Sequence, residues 1–255
     1  MRLLANVQMS DKRAVKTTHF QNPSYLGDPL NIIRILNQKG AQEIILTDLS
    51  ASASRRINYD LIKFIADEVT VPFSYAGGIS KETDIKLLAS LGVERFIINS
   101  SFFQSPDVVS RLVNQLGSSS VSLSIDISGR KFSKLGNSFT FNGAKNLSEL
   151  NFEKICERII NLDIGEIILR VVDLDGADGE QTFDVYNDFF SVYQKEISEI
   201  ESRQILIGTG VRNISVLHNL SSSLPIDGCV VGSLISFAKS GRGVLVNFPR
   251  ELSVL

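Results

Sequence analysis

Apolar residues along this chain alternate between two patterns. Eight short runs, residues 3–7, 43–47, 72–75, 95–99, 121–125, 166–169, 204–207 and 228–231, are rich in aliphatic and β-branched side chains. Most are nearly continuously apolar rather than strictly alternating, the signature of a parallel strand covered on its outer face. Between them, apolar residues recur at helical spacing in 29–36, 58–69, 152–160, 183–200 and 213–220. Two more helices are marked by their starts. Ser80 is a candidate N-cap with acids in the following turn, and Ser105-Pro106 places proline at a first helical position. Gly40 and Gly92 stop the first and third of the helices before residue 100.

Eight strands alternating with helices, without a break in composition, predict one (β/α)₈ TIM barrel domain over residues 1–255. An open doubly wound sheet is the competitor, but it carries a glycine-rich turn after its first strand. Here that turn reads Gln8-Met9-Ser10-Asp11-Lys12-Arg13 and has no glycine. The halves also resemble each other. The run beginning Glu43-Ile44-Ile45-Leu46 is matched by Glu166-Ile167-Ile168-Leu169, and Ala76-Gly77-Gly78-Ile79 by Gly208-Thr209-Gly210-Val211. Each pair is half a chain apart, as in a duplicated half-barrel.

Composition narrows the function classes. The chain has 255 residues, 43% of them hydrophobic and 21% charged, which excludes a disordered chain. A formal net charge of −2 argues against nucleic-acid binding by bulk electrostatics. Cys156 and Cys229 are too few for a disulfide framework, and no zinc-type Cys/His spacing occurs, so neither metal nor cofactor is expected. The N-terminal apolar run is too short for a signal peptide, and no run approaches the ~20 residues of a membrane span. These features predict a soluble, cytoplasmic protein with no membrane partner.

In a barrel the chemistry sits at the carboxyl ends of the strands. Those positions hold Gln8, Asp48, Ala76-Gly77-Gly78, Asn99-Ser100-Ser101, Asp126, Asp173-Leu174-Asp175-Gly176, Gly208-Thr209-Gly210 and Gly232-Ser233. Glycine-rich loops let backbone N–H groups converge on an anion, or merely make tight turns. Two of them on opposite sides favour a ligand with two phosphates. Asp126 is placed for general acid/base work, the alternative being a helix cap or a loop ion pair with Arg130 or Lys131. Asp175 has the same two readings, and Asp48 and Asp173 divide evenly between site and structure. Gln8 can orient a ligand or water but cannot exchange a proton. At the opposite strand ends stand Arg2, Glu43, Arg95 and Glu166. They are either stabilising surface ion pairs or a gate to a conduit through the barrel. Glu94 would face a partner docked on that end.

Taken in order, Gly27-Asp28-Pro29, residues 43–52, Ala76-Gly77-Gly78-Ile79, Ile97-Ile98-Asn99-Ser100, Ser124-Ile125-Asp126 and Asp173-Leu174-Asp175-Gly176 closely resemble the cyclase subunit of imidazole glycerol phosphate synthase, HisF. The resemblance covers nearly the whole chain. It implies a barrel of the ribulose-phosphate-binding type with two phosphate sites. It implies a heterodimer with a glutaminase subunit (HisH-like) on the N-terminal face, which feeds ammonia through the barrel. The family uses that ammonia to cleave a ribulosyl-formimino nucleotide and close an imidazole ring in histidine biosynthesis.

Carried over by residue, the resemblance makes Asp126 the acid/base on the fifth barrel strand and Lys16 the lysine of a mobile first loop. Asp48 and Asp175 become substrate-site acids. Gly77, Gly78, Ser100, Gly210 and Ser233 become phosphate-loop positions, with Asn99, Gly176 and Gly232 beside them. Arg2, Glu43, Arg95 and Glu166 match the charged gate, and Glu94 an acid facing the glutaminase. The departures are Gln8 where the family has its first catalytic aspartate, Ala76 where the phosphate loop has its first glycine, a first loop without glycines, and a second phosphate loop that reads Gly208-Thr209-Gly210-Val211-Arg212 rather than a double-glycine run. Three readings follow: a cyclase subunit weakened by Gln8, a divergent paralogue relaying ammonia to a sugar amidotransferase that makes an acetamidino sugar of a surface polysaccharide, or a non-catalytic activator of a glutaminase.

Overall fold

The computed structural model describes residues 1–129, 131–133, 138–141, 143–177, 179–236 and 244–249. Arg130, one ion-pair partner considered for Asp126, lies outside the described residues. Chain order begins with β1 (Arg2–Ser10), which runs into a hairpin of β2 (Arg13–Thr18) and β3 (Gln21–Gly27). Next come β4 (Glu43–Asp48), β5 (Phe73–Ala76), β6 (Arg95–Ile98) and β7 (Val121–Ser128). A second hairpin of β8 (Ser138–Phe141) and β9 (Asn146–Leu147) leads to β10 (Glu166–Val171), β11 (Gln204–Ile207) and β12 (Gly228–Val231). All eight predicted strands are therefore present.

These eight pair in parallel in the order β1, β4, β5, β6, β7, β10, β11, β12, and β12 closes onto β1. The result is a (β/α)₈ TIM barrel. Side-chain alternation sorts each strand. Leu4, Ile45, Ala76, Ile97, Ile168, Leu206 and Val230 meet in a small apolar cluster of their own inside the bore. Their outward neighbours, such as Leu3, Ile44, Tyr75 and Ile167, join the main core under the helices.

The helices are α1 (Pro29–Gln38), α2 (Leu49–Ser54), α3 (Tyr59–Glu68), α4 (Glu82–Ser90), α5 (Ser100–Gln104), α6 (Pro106–Leu116), α7 (Phe152–Asn161), α8 (Thr182–Val192), α9 (Gln194–Glu199), α10 (Ile214–Ser223) and α11 (Ser233–Ser236). Two details differ from the sequence reading. The single helix expected over 183–200 is two, divided at Tyr193, which packs against Phe139, Phe152 and Phe189. Ser80 does not cap α4. The carboxylate of Asp84 accepts from the backbone N–H of Ser80 (3.0 Å) and Lys81 (3.1 Å), so an acid inside the first turn supplies the cap.

Both hairpins escape the sequence pattern, because their strands are short and mix polar residues with the few, such as Ala14 and Phe139, that reach the core. Short α2, α5 and α11 follow β4, β6 and β12 directly and set the floor of the C-terminal face. Among the described residues no helix is long and apolar enough to cross a membrane.

Candidate functional site at the two ends of the barrel

At the C-terminal end an open cleft of about 180 Å³ is lined by Gln8, Thr17, Phe20, Gly77, Gly78, Asn99, Ser100, Asp126 and Arg170, among others. A smaller recess adjoins it, lined by Lys16, Asp175, Gly176, Gly208, Gly210, Gly232 and Ser233, again with Gln8 and Arg170. The two glycine-loop regions thus lie on opposite sides of one mouth, with Gln8 and Arg170 shared between them.

Asp126 stands on the inward side of β7, two residues before its end, and is almost fully buried. Its carboxylate accepts from Ser124 Oγ (3.3 Å) and Asn99 Nδ2 (3.3 Å), and Arg170 Nε lies at 3.8 Å. Burial pushes the carboxyl pKa up to about 6, against the opposing pull of the Arg170 guanidinium. A carboxyl there exchanges its proton close to neutral pH, which suits general acid/base chemistry.

Gln8 is also buried, and its side chain is occupied. Its Oε1 accepts from the backbone N–H of Thr17 (3.1 Å) and lies 3.2 Å from the Thr17 hydroxyl oxygen. That bond ties the β2–β3 hairpin to the end of β1. Asp175 ties it from the other side. Its carboxylate pairs with Lys16 Nζ and accepts from Thr17 Oγ1 (2.6 Å) and Phe20 N (3.0 Å). Lys16, on the connection that follows the first barrel strand, therefore stands in a β-strand, buried and ion-paired. The physical reason is pairing: β2 runs antiparallel to β1, with Gln8 opposite Val15, so the segment's backbone groups are satisfied by a sheet. Burial lowers the Lys16 pKa, and Asp175 opposes that shift.

Asp48 is the expected acid that the structure places elsewhere. Thr47 faces the cleft. Asp48, the next residue along β4, turns outward and caps α2 through Ala51 N (2.9 Å). Asp173 accepts from Gly129 N (2.7 Å) at the rim.

Gly77 and Gly78 have structural demands of their own. Both take positive φ, +139° and +66°. A Cβ on Gly77 would overlap the backbone oxygen of Asp48, and one on Gly78 would lie 2.6 Å from that of Ala51. Gly77→Ala is therefore expected to destabilise the barrel by about 2 kcal/mol or more. Chemical denaturation would measure this, and an unchanged midpoint would mean the loop yields without cost.

The opposite end carries the four charges read from the sequence. Arg2 makes two 2.7 Å contacts with the Glu43 carboxylate and one of 2.5 Å with Glu166. Arg95 lies 3.1 Å from Glu43 and 3.7 Å from Glu166. Ser122 Oγ donates to Glu166 at 2.5 Å, and Gln204 accepts from Arg2. The four residues converge at the N-terminal mouth. Beside them is a hollow of about 330 Å³ that Glu94 helps to line.

Arg170, Phe20 and Thr17 were not among the residues singled out from sequence. Arg170 did leave a signal. Glu166 and Ile168 face the bore, so the two-residue period of β10 sends Arg170 there as well.

A family described as histidine biosynthesis protein matches residues 2–240. A protein of Leptospira borgpetersenii provisionally named imidazole glycerol phosphate synthase subunit HisF is 32% identical over 97% of this chain and 94% of its own length. A protein of Pseudomonas aeruginosa, provisionally named as subunit hisF2 of the same synthase, is 32% identical over 97% and 95%. The Campylobacter lari imidazole glycerol phosphate synthase subunit HisF is 32% identical over 69% of this chain and 70% of its own.

Proposed function

The chain belongs to the HisF family of histidine biosynthesis proteins, and on that premise we propose that it is the barrel subunit of an ammonia-using synthase. The observation that carries this reading is the pairing of two sites on one bore. Glu166, in the charged quartet, and Arg170, beside Asp126, lie on the same face of β10. Four residues of strand separate them by about 13 Å. A glutaminase subunit docks at the N-terminal mouth, against Glu94 and its hollow, as a heterodimer. Ammonia passes the quartet and then the apolar ring, which a neutral molecule crosses far more cheaply than an ammonium ion.

At the other end the glycine loops hold a phosphorylated small molecule through backbone N–H groups. Gly77, Gly78, Asn99 and Ser100 serve one terminus. Gly176, Gly210, Gly232 and Ser233 serve the other, beside the Lys16–Asp175 pair. Asp126 moves the proton, and Gln8 holds the hairpin down over the site. In histidine biosynthesis the reaction is cleavage of the ribulosyl-formimino nucleotide and closure of the imidazole ring, a lyase and cyclase activity needing no cofactor or metal. The whole chain, residues 1–255, acts as one cytoplasmic barrel domain, without nucleic-acid or membrane partners.

A second reading has a specific observation behind it. Gln8, where the family has its first catalytic aspartate, cannot exchange a proton, and its Oε1 is taken up by Thr17. This favours a divergent paralogue that relays ammonia, for example to a sugar amidotransferase, or one that only activates a glutaminase.

Purification with a glutaminase subunit, followed by glutamine hydrolysis with and without the barrel, tests the coupling. Activation by the wild type and its loss in Glu94→Lys is the expected result; no dependence on the barrel removes the proposal. Ring closure with free ammonia on the histidine-pathway nucleotide then separates cyclase from relay. Feeble turnover is expected, and robust turnover would make the relay reading unnecessary.

A further inference from the structure

We propose that Arg170 forms an oxyanion subsite at the centre of the C-terminal mouth, between the two glycine loops. The ligand it selects carries an acidic group, carboxylate or phosphate, on its middle portion. The inference rests on the reading above only in taking the C-terminal mouth as the ligand site.

The position is the first argument. Arg170 lines the large cleft, the smaller recess and the narrow void beneath them inside the bore. Lys16, the nearby cation of the recess, is already committed to Asp175.

The second argument is the state of its donors. A guanidinium has five N–H donors in a rigid fork. Among the described residues, Nη1 reaches Ser124 Oγ only at 3.5 Å, and Nε stands 3.8 Å from Asp126. Neither contact approaches the 2.7–2.9 Å of a charge-assisted hydrogen bond. Yet the side chain is only 17% exposed. A charge so far removed from bulk water is costly until hydrogen-bonded partners compensate it.

The third argument is that the fork is held in place without being used. The Phe20 ring stacks on it at 4.4 Å from the centroid. Gly208 makes room for its stem: a Cβ there would lie 2.5 Å from Arg170 Cγ and 3.2 Å from Cδ. Gly208 does not take a positive φ, so packing against Arg170 and Ile168 accounts for this glycine rather than turn geometry. A planar fork fixed on an aromatic face, with free donors toward a cleft, suits bidentate capture of an oxyanion.

The test follows the Arg170 Nε–H resonance by NMR, assigned by its loss in Arg170→Met, during titration with inorganic phosphate or with acetate. A saturable shift with at least one anion is expected, and the stronger one identifies the acidic group. Followed at the Gly208 amide, affinity should fall at least tenfold in Arg170→Met. It should fall less in Arg170→Lys, which keeps the charge but loses the fork. Thermal unfolding of both variants checks that the barrel is intact. An Arg170 resonance that neither anion moves overturns the proposal, whether or not Gly78 and Gly210 amides respond; Arg170 would then be a counter-ion of Asp126 only. Failure of glutaminase coupling leaves this result untouched.

Discussion

Asp126→Asn should cut turnover by orders of magnitude and, at neutral pH, make the barrel harder to unfold. The two effects share one cause. A carboxyl buried near the end of β7, with Arg170 as its nearest cation at 3.8 Å, holds its proton up to about pH 6 instead of the ordinary 3.8. The folded state therefore binds that proton more tightly than the unfolded chain does. The stabilising contribution is fully present below pH ~4 and is lost as pH rises through ~6. Above that, the buried carboxylate costs on the order of 2 to 3 kcal/mol. Asparagine keeps the shape and removes the charge.

At pH 8 the variant should gain roughly 1 to 3 kcal/mol against urea, and at pH 4 it should match the wild type. Equal midpoints at both pH values would mean that the carboxylate is better solvated than its burial implies. Turnover should fall by about 10²–10⁴-fold, because an amide cannot exchange a proton. Gln8→Asp works in the opposite sense. A carboxylate there still accepts from Thr17 and places a second titrating group across the mouth. Ring-closing activity should rise above that of the wild type, and no rise would count against the facing-acid account of the chemistry.

Glu166→Ala should cost the most stability of any single change at the N-terminal mouth. Glu166 is almost fully buried and is the acceptor for Arg2, for Ser122 Oγ and, at longer range, for Arg95. Its removal leaves two guanidinium groups and a hydroxyl facing a space that was filled. Breaking such a pair from one side costs about 3–5 kcal/mol when both partners are buried. The arginine side chains are 25% and 22% exposed, which brings the expectation to about 2–3 kcal/mol. Glu166→Gln, which keeps the oxygen for Ser122, should lose less. Equilibrium unfolding in urea reads the difference. A loss under ~0.5 kcal/mol would place the quartet among surface ion pairs of little worth.

Much of this protein could be read from local pattern. Short runs rich in aliphatic and β-branched residues, most of them nearly continuous, marked all eight barrel strands, because strands covered on both faces need apolar side chains whatever the neighbours are. Charges immediately before such runs marked Arg2, Glu43, Arg95 and Glu166 as one layer, since parallel strands start together at one end of a barrel. The acids and glycines just after the runs marked the other end.

What escaped the pattern depends on which way a side chain turns and on what comes to meet it from far along the chain. Asp48 and Thr47 are neighbours at the end of β4, and only the strand's phase relative to the bore sends the threonine to the cleft and the aspartate to the α2 cap. Residues 11–27 are polar enough to pass for a loop. They form a hairpin because Gln8 and Asp175, one of them more than 150 residues distant, supply the acceptors for Thr17, Phe20 and Lys16. Arg170 is one charge at the end of an apolar run until closure of the sheet sets it above Ile168, against Phe20, and in the space left by Gly208. Sequence determined the strands, their order of chemistry and the two charged ends, because hydrophobic period and strand-end position are local properties. The tertiary structure decided which end residues share the mouth, because side-chain direction and long-range hydrogen bonding exist only once the eight strands close into a ring.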